Sequence, residues 1–385
     1  MINPFSSDTL QCFLSCPRGL EQVTADNIQP YCSSVKKDKG GVHFTGDMRS
    51  LYSVNLHSRT GMHALVKLLE ITARNNDELY KNVFNYPWYE WISPDDTLSI
   101  RSRARSRYFD NAQYASLKMK DALVDRIRKK TGNRPNIDKV NPRYSLFLFI
   151  VEDKVTVYLN SSGVSLSKRG YREKVHKASL NEALAAGIIL LSGWKPDQPL
   201  YDPMCGSGTF PIEAALIGRN IPAGYYKRGY AFQKWLHFDN QLWNQIMKEA
   251  KEKILYKRLP VIGYDNVLAN IKLSQQNSRR ILIHEYVKFK KAEFCDFLPD
   301  DPGMIIMNPP YGERLDEERN LESTYELMGD VLKSNCQNSD VFILSGNSNL
   351  AKHIGLKPKK KMPLKNGRID CQLLHFPIRD GEYAE

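Results

Sequence analysis

The chain has 385 residues, room for two or three domains and a substantial core. Hydrophobic residues make up 42% and mean hydropathy is −0.48, as in a soluble globular protein; no apolar run approaches membrane length and no signal peptide opens the chain, so a cytoplasmic protein is expected. Lysine and arginine total 55 against 43 aspartates and glutamates, giving +12 and a pI near 9.2, which favours a polyanionic partner.

Along the N-terminal half, short strands are expected at residues 11–14 and 41–44, with a helix around 19–27. Together they read as a small α+β unit over residues 1–50. An amphipathic stretch at 47–56 and a helix at 115–129 follow. Two strands, 144–151 and 154–159, are joined at Glu152-Asp153. Between them Thr97-Leu98-Ser99-Ile100 leads into Arg101, Arg103, Arg105 and Arg107 at every second position. In a strand these four share one face, and the opposite face carries only Ser and Ala. Phosphate contact with RNA explains such a row better than a plain exposed edge strand does. Lys357-Pro358-Lys359-Lys360-Lys361 is less distinctive and reads as loop charge.

Residues 161–175 are polar and basic, as in a linker, and Lys168 and Arg169 there are counted with the RNA-contacting cations. A helix at 179–191 opens the C-terminal half, and alternating strands and helices from 199 onward indicate a mostly parallel sheet. The segment 218–260 carries Tyr225-Tyr226-Lys227-Arg228-Gly229-Tyr230 and Trp235. It can grip a splayed strand or cover a base pocket, or it can be a helical cover packed on the sheet. Lys365-Asn366-Gly367-Arg368 is a two-residue hairpin signal. Seven cysteines (Cys12, Cys16, Cys32, Cys205, Cys295, Cys336, Cys371) are scattered and odd in number, without a CxxC pair. They support neither a zinc site nor a disulfide framework.

Four strand ends carry the chemistry. Leu200-Tyr201-Asp202-Pro203-Met204-Cys205-Gly206-Ser207-Gly208-Thr209 reads as strand, glycine turn and helix start. Gly206 and Gly208 let the backbone approach a ligand, and the helix N-terminus offers free N–H groups to an anion. No Lys follows, so this is not a P-loop, and Pro211 stands where a dinucleotide fingerprint has its third glycine. A small anionic ligand end fits, such as the methionine part of S-adenosylmethionine. Cys205 sits where the turn needs a small residue and is read as structural. Val261-Ile262-Gly263-Tyr264-Asp265 ends in a carboxylate suited to ribose hydroxyls, with Asn266 beside it. Asp296 can accept from an adenine amino group and Phe297 can pack on the ring. Taken singly, either Asp is equally a cap or a turn residue.

About one hundred residues after the glycine turn, Met304-Ile305-Ile306-Met307 delivers Asn308-Pro309-Pro310-Tyr311. An exocyclic amine on a nucleobase is a poor nucleophile because its lone pair is delocalised into the ring. Acceptors that hold its N–H groups free that pair. The Asn308 side-chain carbonyl and the Pro309 backbone carbonyl can do this, with the backbone direction preset by proline. Tyr311 can stack on a base taken out of its helix. The order of the four strand ends supports methyl transfer to a base amine.

Residues 165–385 resemble the amino-methyltransferase class of Rossmann-like enzymes. The whole chain resembles the THUMP-domain ribosomal RNA guanine methyltransferases, in particular the methyltransferase half of the 23S rRNA guanine-N2 enzymes. The resemblance rests on Ser165-Leu166-Ser167-Lys168-Arg169-Gly170-Tyr171-Arg172 with His176-Lys177-Ala178-Ser179, on the glycine turn, on Ala231-Phe232-Gln233-Lys234-Trp235 with Phe238-Asp239, and on Asn308-Pro309-Pro310-Tyr311-Gly312-Glu313-Arg314. It implies a ferredoxin-like lead-in (1–50), a THUMP RNA-binding domain (51–160), a linker (161–175) and a methyltransferase domain (176–385). S-adenosylmethionine is the implied cofactor, structured RNA the partner, and no metal is required. The enterobacterial version carries a second methyltransferase; this sequence ends at Glu385, so only amino methylation is implied. The same motif also serves guanine in tRNA or the 6-amino group of adenine in DNA. A non-catalytic RNA-binding assembly factor is the reading of a different class.

Overall fold

The computed structural model describes residues 4–5, 8–172, 180–311 and 315–380. His176 to Ser179 and Gly312 to Arg314 lie outside the described residues.

The N-terminal half runs β1 (Leu10–Ser15), α1 (Glu21–Ile28), β2 (Ser34–Asp38), β3 (Gly41–Gly46), α2 (Met48–His57), β4 (His63–Thr72), α3 (Asn76–Asn85), β5 (Thr97–Arg105), α4 (Ala112–Thr131), β6 (Asn136–Ile137), β7 (Tyr144–Val151) and β8 (Lys154–Asn160). All eight strands join one sheet, ordered β2-β3-β1-β4-β8-β7-β5-β6. Strand alternation sends one set of side chains to a shared core: Leu14, Val42 and Val66 on one side of the sheet's midline, Leu98, Leu146 and Val157 on the other. Helices α2, α3 and α4 bury their apolar stripes against this face. Each has a polar N-cap: Asp47 accepts from Ser50 N, Asn75 from Asp77 N and Glu78 N, and Asn111 from Tyr114 N. Gly132, at φ 82°, stops α4.

The arginine row lies where the alternation placed it. Arg101, Arg103, Arg105 and Arg107 are all exposed. β5 pairs with β7 along its length but with the two-residue β6 only at Thr97 and Leu98, so the arginine-bearing part runs along a free edge of the sheet.

The second half runs α5 (Glu182–Ser192), β9 (Leu200–Asp202), α6 (Thr209–Gly218), α7 (Asn240–Glu252), β10 (Val261–Asp265), α8 (Leu268–Arg280), β11 (Lys288–Lys291), β12 (Met304–Met307), α9 (Leu315–Asn335), β13 (Asp340–Ser345), β14 (Lys360–Asn366) and β15 (Ile369–Pro377). Its sheet is ordered β11-β10-β9-β12-β13-β15-β14. Strands β9 to β13 pair in parallel and are almost wholly buried at the centre, as near-continuous apolar runs require. The hairpin at Asn366-Gly367 closes β14 on β15, and β15 inserts antiparallel beside β13. The α/β architecture with a mostly parallel sheet is the one the sequence implied.

In 218–260 Tyr230, Phe232, Trp235 and Trp243 turn inward to the core of the N-terminal half, while Tyr225 and Tyr226 pack half-buried on the core of the catalytic half and Tyr256 is exposed. Tyr52 of α2 stacks on Phe232 at 4.3 Å between ring centroids and meets Trp243 edge-on at 6.2 Å. Tyr230 and Trp235 are buried in the same core. The packed reading holds, with α2 as the partner; a role in gripping RNA does not fit rings that are out of solvent. Within 161–172, Ser161, Ser162, Leu166, Ser167, Arg169 and Tyr171 are all buried.

Candidate active site

The carboxyl ends of β9 and β12 adjoin in the sheet, so the glycine turn and Asn308 meet although about one hundred residues separate them. They line one cleft of about 280 Å³, with Asp202, Met204, Cys205, Gly206, Ser207, Thr209 and Phe210 on one wall and Asn308 on another. Leu180, Asn270 and Leu273 complete the lining. This is the edge of an open α/β sheet where ligands bind.

The turn is fixed from below. Gly206 has φ 52°, and a Cβ there would project into open space. Gly208, at φ 81°, packs so closely that a Cβ would sit 2.8 Å from the Ser274 Cβ. Asp202 is 2% exposed and accepts from Met204 N at 3.2 Å. Burial, helped by Asp265 nearby, pushes its carboxyl well above the usual carboxylate range. Pro203 is buried in the same turn. The Cys205 thiol is also pushed well up by burial and by Asp202 and Asp265, which leaves no thiolate for nucleophilic chemistry.

Asp265 is buried beside the glycine turn. Its Oδ2 accepts from Gly206 N at 2.9 Å, and its Oδ1 accepts from Val267 N and Asn270 Nδ2, both at 2.9 Å. It braces the glycine turn and keeps a lone pair of Oδ2 unused by these bonds. Asn266 is exposed and donates to Glu293 at 3.1 Å. Asp296 is exposed within a 3-10 turn, Phe294–Asp296. Phe297 is only 2% exposed and packs edge-on against Tyr201 and Tyr264 at 6.0 and 5.5 Å, so it belongs to the core and is not a free platform for an adenine ring.

One cation at this turn went unread. The Arg172 side chain is 5% exposed and donates to Leu180 O at 2.9 Å, Ser207 Oγ at 3.3 Å and Thr209 Oγ1, with Glu182 at 3.2 Å. Glu182 balances its charge, and its bonds to Ser207 and Thr209 brace the N-terminus of α6, where an anionic ligand end would sit. The only sequence signal was its place in Gly170-Tyr171-Arg172.

At the other wall, Pro309 is buried and Pro310 exposed. Among the described residues, no donor reaches the Pro309 carbonyl. The Pro310 carbonyl accepts from Tyr325 Oη at 3.0 Å. Tyr311 packs its ring against Gly346 and Ile369, and its hydroxyl donates to Asn308 Oδ1. Burial raises the Tyr311 pKa, so the phenol stays neutral and a donor. An amide oxygen has two lone pairs, so Asn308 keeps an acceptor site open beside that bond.

Among the expected RNA contacts, Lys168 is exposed. Arg169 is a correction. It is 1% exposed, ion-paired to Glu213 at 3.3 Å, and donates to Leu166 O at 2.7 Å and to Arg59 O. A guanidinium so satisfied and so deep cannot meet a phosphate. It joins 161–172 to α6 and to the N-terminal half.

The cleft fits the cofactor that the resemblance implied: backbone room at Gly206, and for the anionic end a helix N-terminus braced by Arg172. Three family profiles match this chain in succession. They are the RlmL ferredoxin-like domain over residues 11–63, the THUMP domain over 73–160 and the RMKL-like methyltransferase domain over 169–375. A "putative RNA methyltransferase" of Synechocystis sp. is 34% identical over 97% of this chain and 98% of its own length. The ribosomal RNA large subunit methyltransferase K/L of Syntrophotalea carbinolica is 35% identical over 97% of this chain but 54% of its own, so the chain spans about half the length of that relative. The crystal structure of SMU.472 complexed with SAH superposes with a TM-score of 0.88 at 29% identity, covering 97% of this chain and 99% of that one. The chain belongs to the RMKL-like family of S-adenosylmethionine-dependent methyltransferases, carrying the RlmL-type ferredoxin-like and THUMP domains ahead of the methyltransferase domain.

Proposed function

We propose that the protein methylates the exocyclic 2-amino group of a guanine in large-subunit ribosomal RNA. The observation that carries this is the shared cleft, which brings Asn308 to the glycine turn, with the Pro309 carbonyl beside it unbonded among the described residues. Residues 1–160 capture the RNA and 176–385 hold the reacting groups. S-adenosylmethionine, when bound, supplies an electrophilic methyl group. Asn308 Oδ1 and Pro309 O accept the two N–H groups of the target amine and turn its lone pair toward the turn side of the cleft. Tyr325 fixes the Pro310 peptide, and so the Asn308–Pro310 backbone, by one hydrogen bond. The α6 N-terminus, braced by Arg172 through Ser207 and Thr209, orients the cofactor's carboxylate, and Gly206 leaves space for it. Positioning and exclusion of water supply the rate, without a covalent intermediate.

The test is tritiated methyl transfer to large-subunit rRNA, tRNA and duplex DNA, with nucleoside analysis and the Asn308→Ala variant alongside. N2-methylguanosine in large-subunit rRNA, lost in the variant while SAH affinity persists, supports the proposal. Label in tRNA or as methyladenine moves the substrate. No label on any substrate, with SAH still bound, favours the assembly-factor reading. Near-normal turnover of the variant refutes the assigned role of Asn308.

A further inference from the structure

The helices of the N-terminal half all pack on one face of its eight-stranded sheet. The other face carries an aromatic row that crosses four strands. Phe13 on β1 lies 6.5 Å from Tyr158 on β8, ring centre to ring centre. Tyr158 is directly opposite Phe147 on β7, and Phe147 stacks along its own strand on Phe149 at 6.4 Å and 18°. Phe13 and Phe147 are half-buried, and Phe149 is 37% exposed. Large rings left in solvent on an ordered sheet are costly unless a partner covers them.

The charge on this face says what that partner is. Arg101 is in register with Phe147, and Arg103 with Phe149, on the neighbouring strand. Among the described residues, the side chains of Arg101, Arg103 and Arg105 have no ion pair or hydrogen bond. Rings alternating with unpaired guanidiniums suit a strand whose bases are free to stack and whose phosphates run alongside. A duplex offers no unstacked base faces to such rings. The four inter-strand steps from β1 to β5 cover roughly 19 Å, enough for the two or three bases that four-stranded RNA-binding sheets stack.

We infer that the open face of this sheet is a stacking platform for a single-stranded segment of the substrate RNA, with bases on Phe147 and Phe149 and phosphates on Arg101, Arg103 and Arg105. It rests on RNA being the substrate class and goes beyond it in naming the strandedness and the rings. A guanine to be methylated is then delivered from an anchored, unpaired neighbourhood.

The test uses the full-length protein and fluorescence anisotropy, with labelled unstructured 12-nucleotide RNA against a 12-base-pair RNA duplex, across a salt series. The single strand is expected to bind more tightly. Phe147→Ala with Phe149→Ala should weaken it about thirtyfold or more and leave the salt slope unchanged. Arg103→Ala should lower that slope by about 0.7. SAH binding, unchanged in all variants, reports that they are folded. Should the phenylalanine double variant fail to fold, Phe149→Ser alone and photocrosslinking from 4-thiouridine RNA replace it, with crosslinks expected on β7 and β8. Equal binding of duplex and single strand, no effect of the ring deletions, or crosslinks confined to other elements would overturn the platform. So would a Phe149→Ser variant that loses self-association while keeping RNA affinity, since that assigns the rings to a second copy of the chain. None of these readouts needs methyl transfer, so failure of the platform and failure of the proposed reaction are told apart.

Discussion

Glu213 offers a sharp test of how the two halves are joined. It is fully buried on α6 and accepts from Arg169 Nε at 3.3 Å, Arg169 Nη2 at 3.4 Å and Tyr171 Oη at 3.2 Å. It also offsets a second buried guanidinium, that of Arg59, whose pKa burial pulls down to about 10. One carboxylate thus balances two cations. Glu213→Gln keeps the shape but leaves both uncompensated. Breaking a buried pair from one side costs about 3–5 kcal/mol, and two stranded cations place this variant at the upper end. Arg169→Met leaves Glu213 with Arg59 as partner and belongs near 3 kcal/mol. The double variant should cost about as much as Glu213→Gln alone, a coupling of about 2–3 kcal/mol. Urea unfolding, followed by tryptophan fluorescence with m-values checked for constancy, measures all three. Additivity within about 0.5 kcal/mol, or Arg169→Met costing more than Glu213→Gln, would refute the shared-counterion account.

Gly208→Ala puts a Cβ 2.8 Å from Ser274 at φ 81°, so it should lose about 1–3 kcal/mol in a melt and bind SAH more weakly by calorimetry. Tyr325→Phe deletes the hydroxyl on Pro310 O; about 1 kcal/mol of lost positioning should lower kcat roughly fivefold while SAH affinity holds. His57 is held down at about 4, first by burial and then by Arg59 and Lys253, and His63 likewise by burial, Arg101 and Lys227. Their unfolded forms take up protons near the ordinary value of about 6.5. Stability is therefore full above that pH and declines as pH falls toward 4, by at most about 3 kcal/mol per histidine. His57→Gln should flatten the profile; a wild-type profile already flat across that window would count against it.

Much of this molecule is legible in its sequence because local signals and tertiary demands agree. The four apolar runs of the parallel sheet, the Asn366-Gly367 hairpin and the two-residue spacing of the β5 arginines each state a geometry directly. What could not be read depends on partners distant in sequence. Arg169 looks like any basic residue in a polar stretch until Glu213 lies beside it. Asp265 has the chemistry of a ribose ligand, and only the fold shows that it also holds Gly206 N and Asn270. Phe297 follows a polar turn, and only the fold shows Tyr201 and Tyr264 enclosing it. The aromatic row escaped for the same reason, since Phe13, Tyr158 and Phe147 become neighbours only across strand pairing.

The stack of Tyr52 on Phe232 and Trp243 has a consequence for target choice. An RNA-holding half joined by a loose tether samples many offsets, and any reachable guanine could be modified. Here the segment 218–260 leaves the catalytic half and buries its rings in the core of the RNA-holding half. The separation between anchored RNA and Asn308 is thereby set by packed side chains, as in a fixed-length caliper. Such a device selects a nucleotide by its distance and bearing from a gripped feature, so an identical sequence at another offset in the folded RNA is passed over.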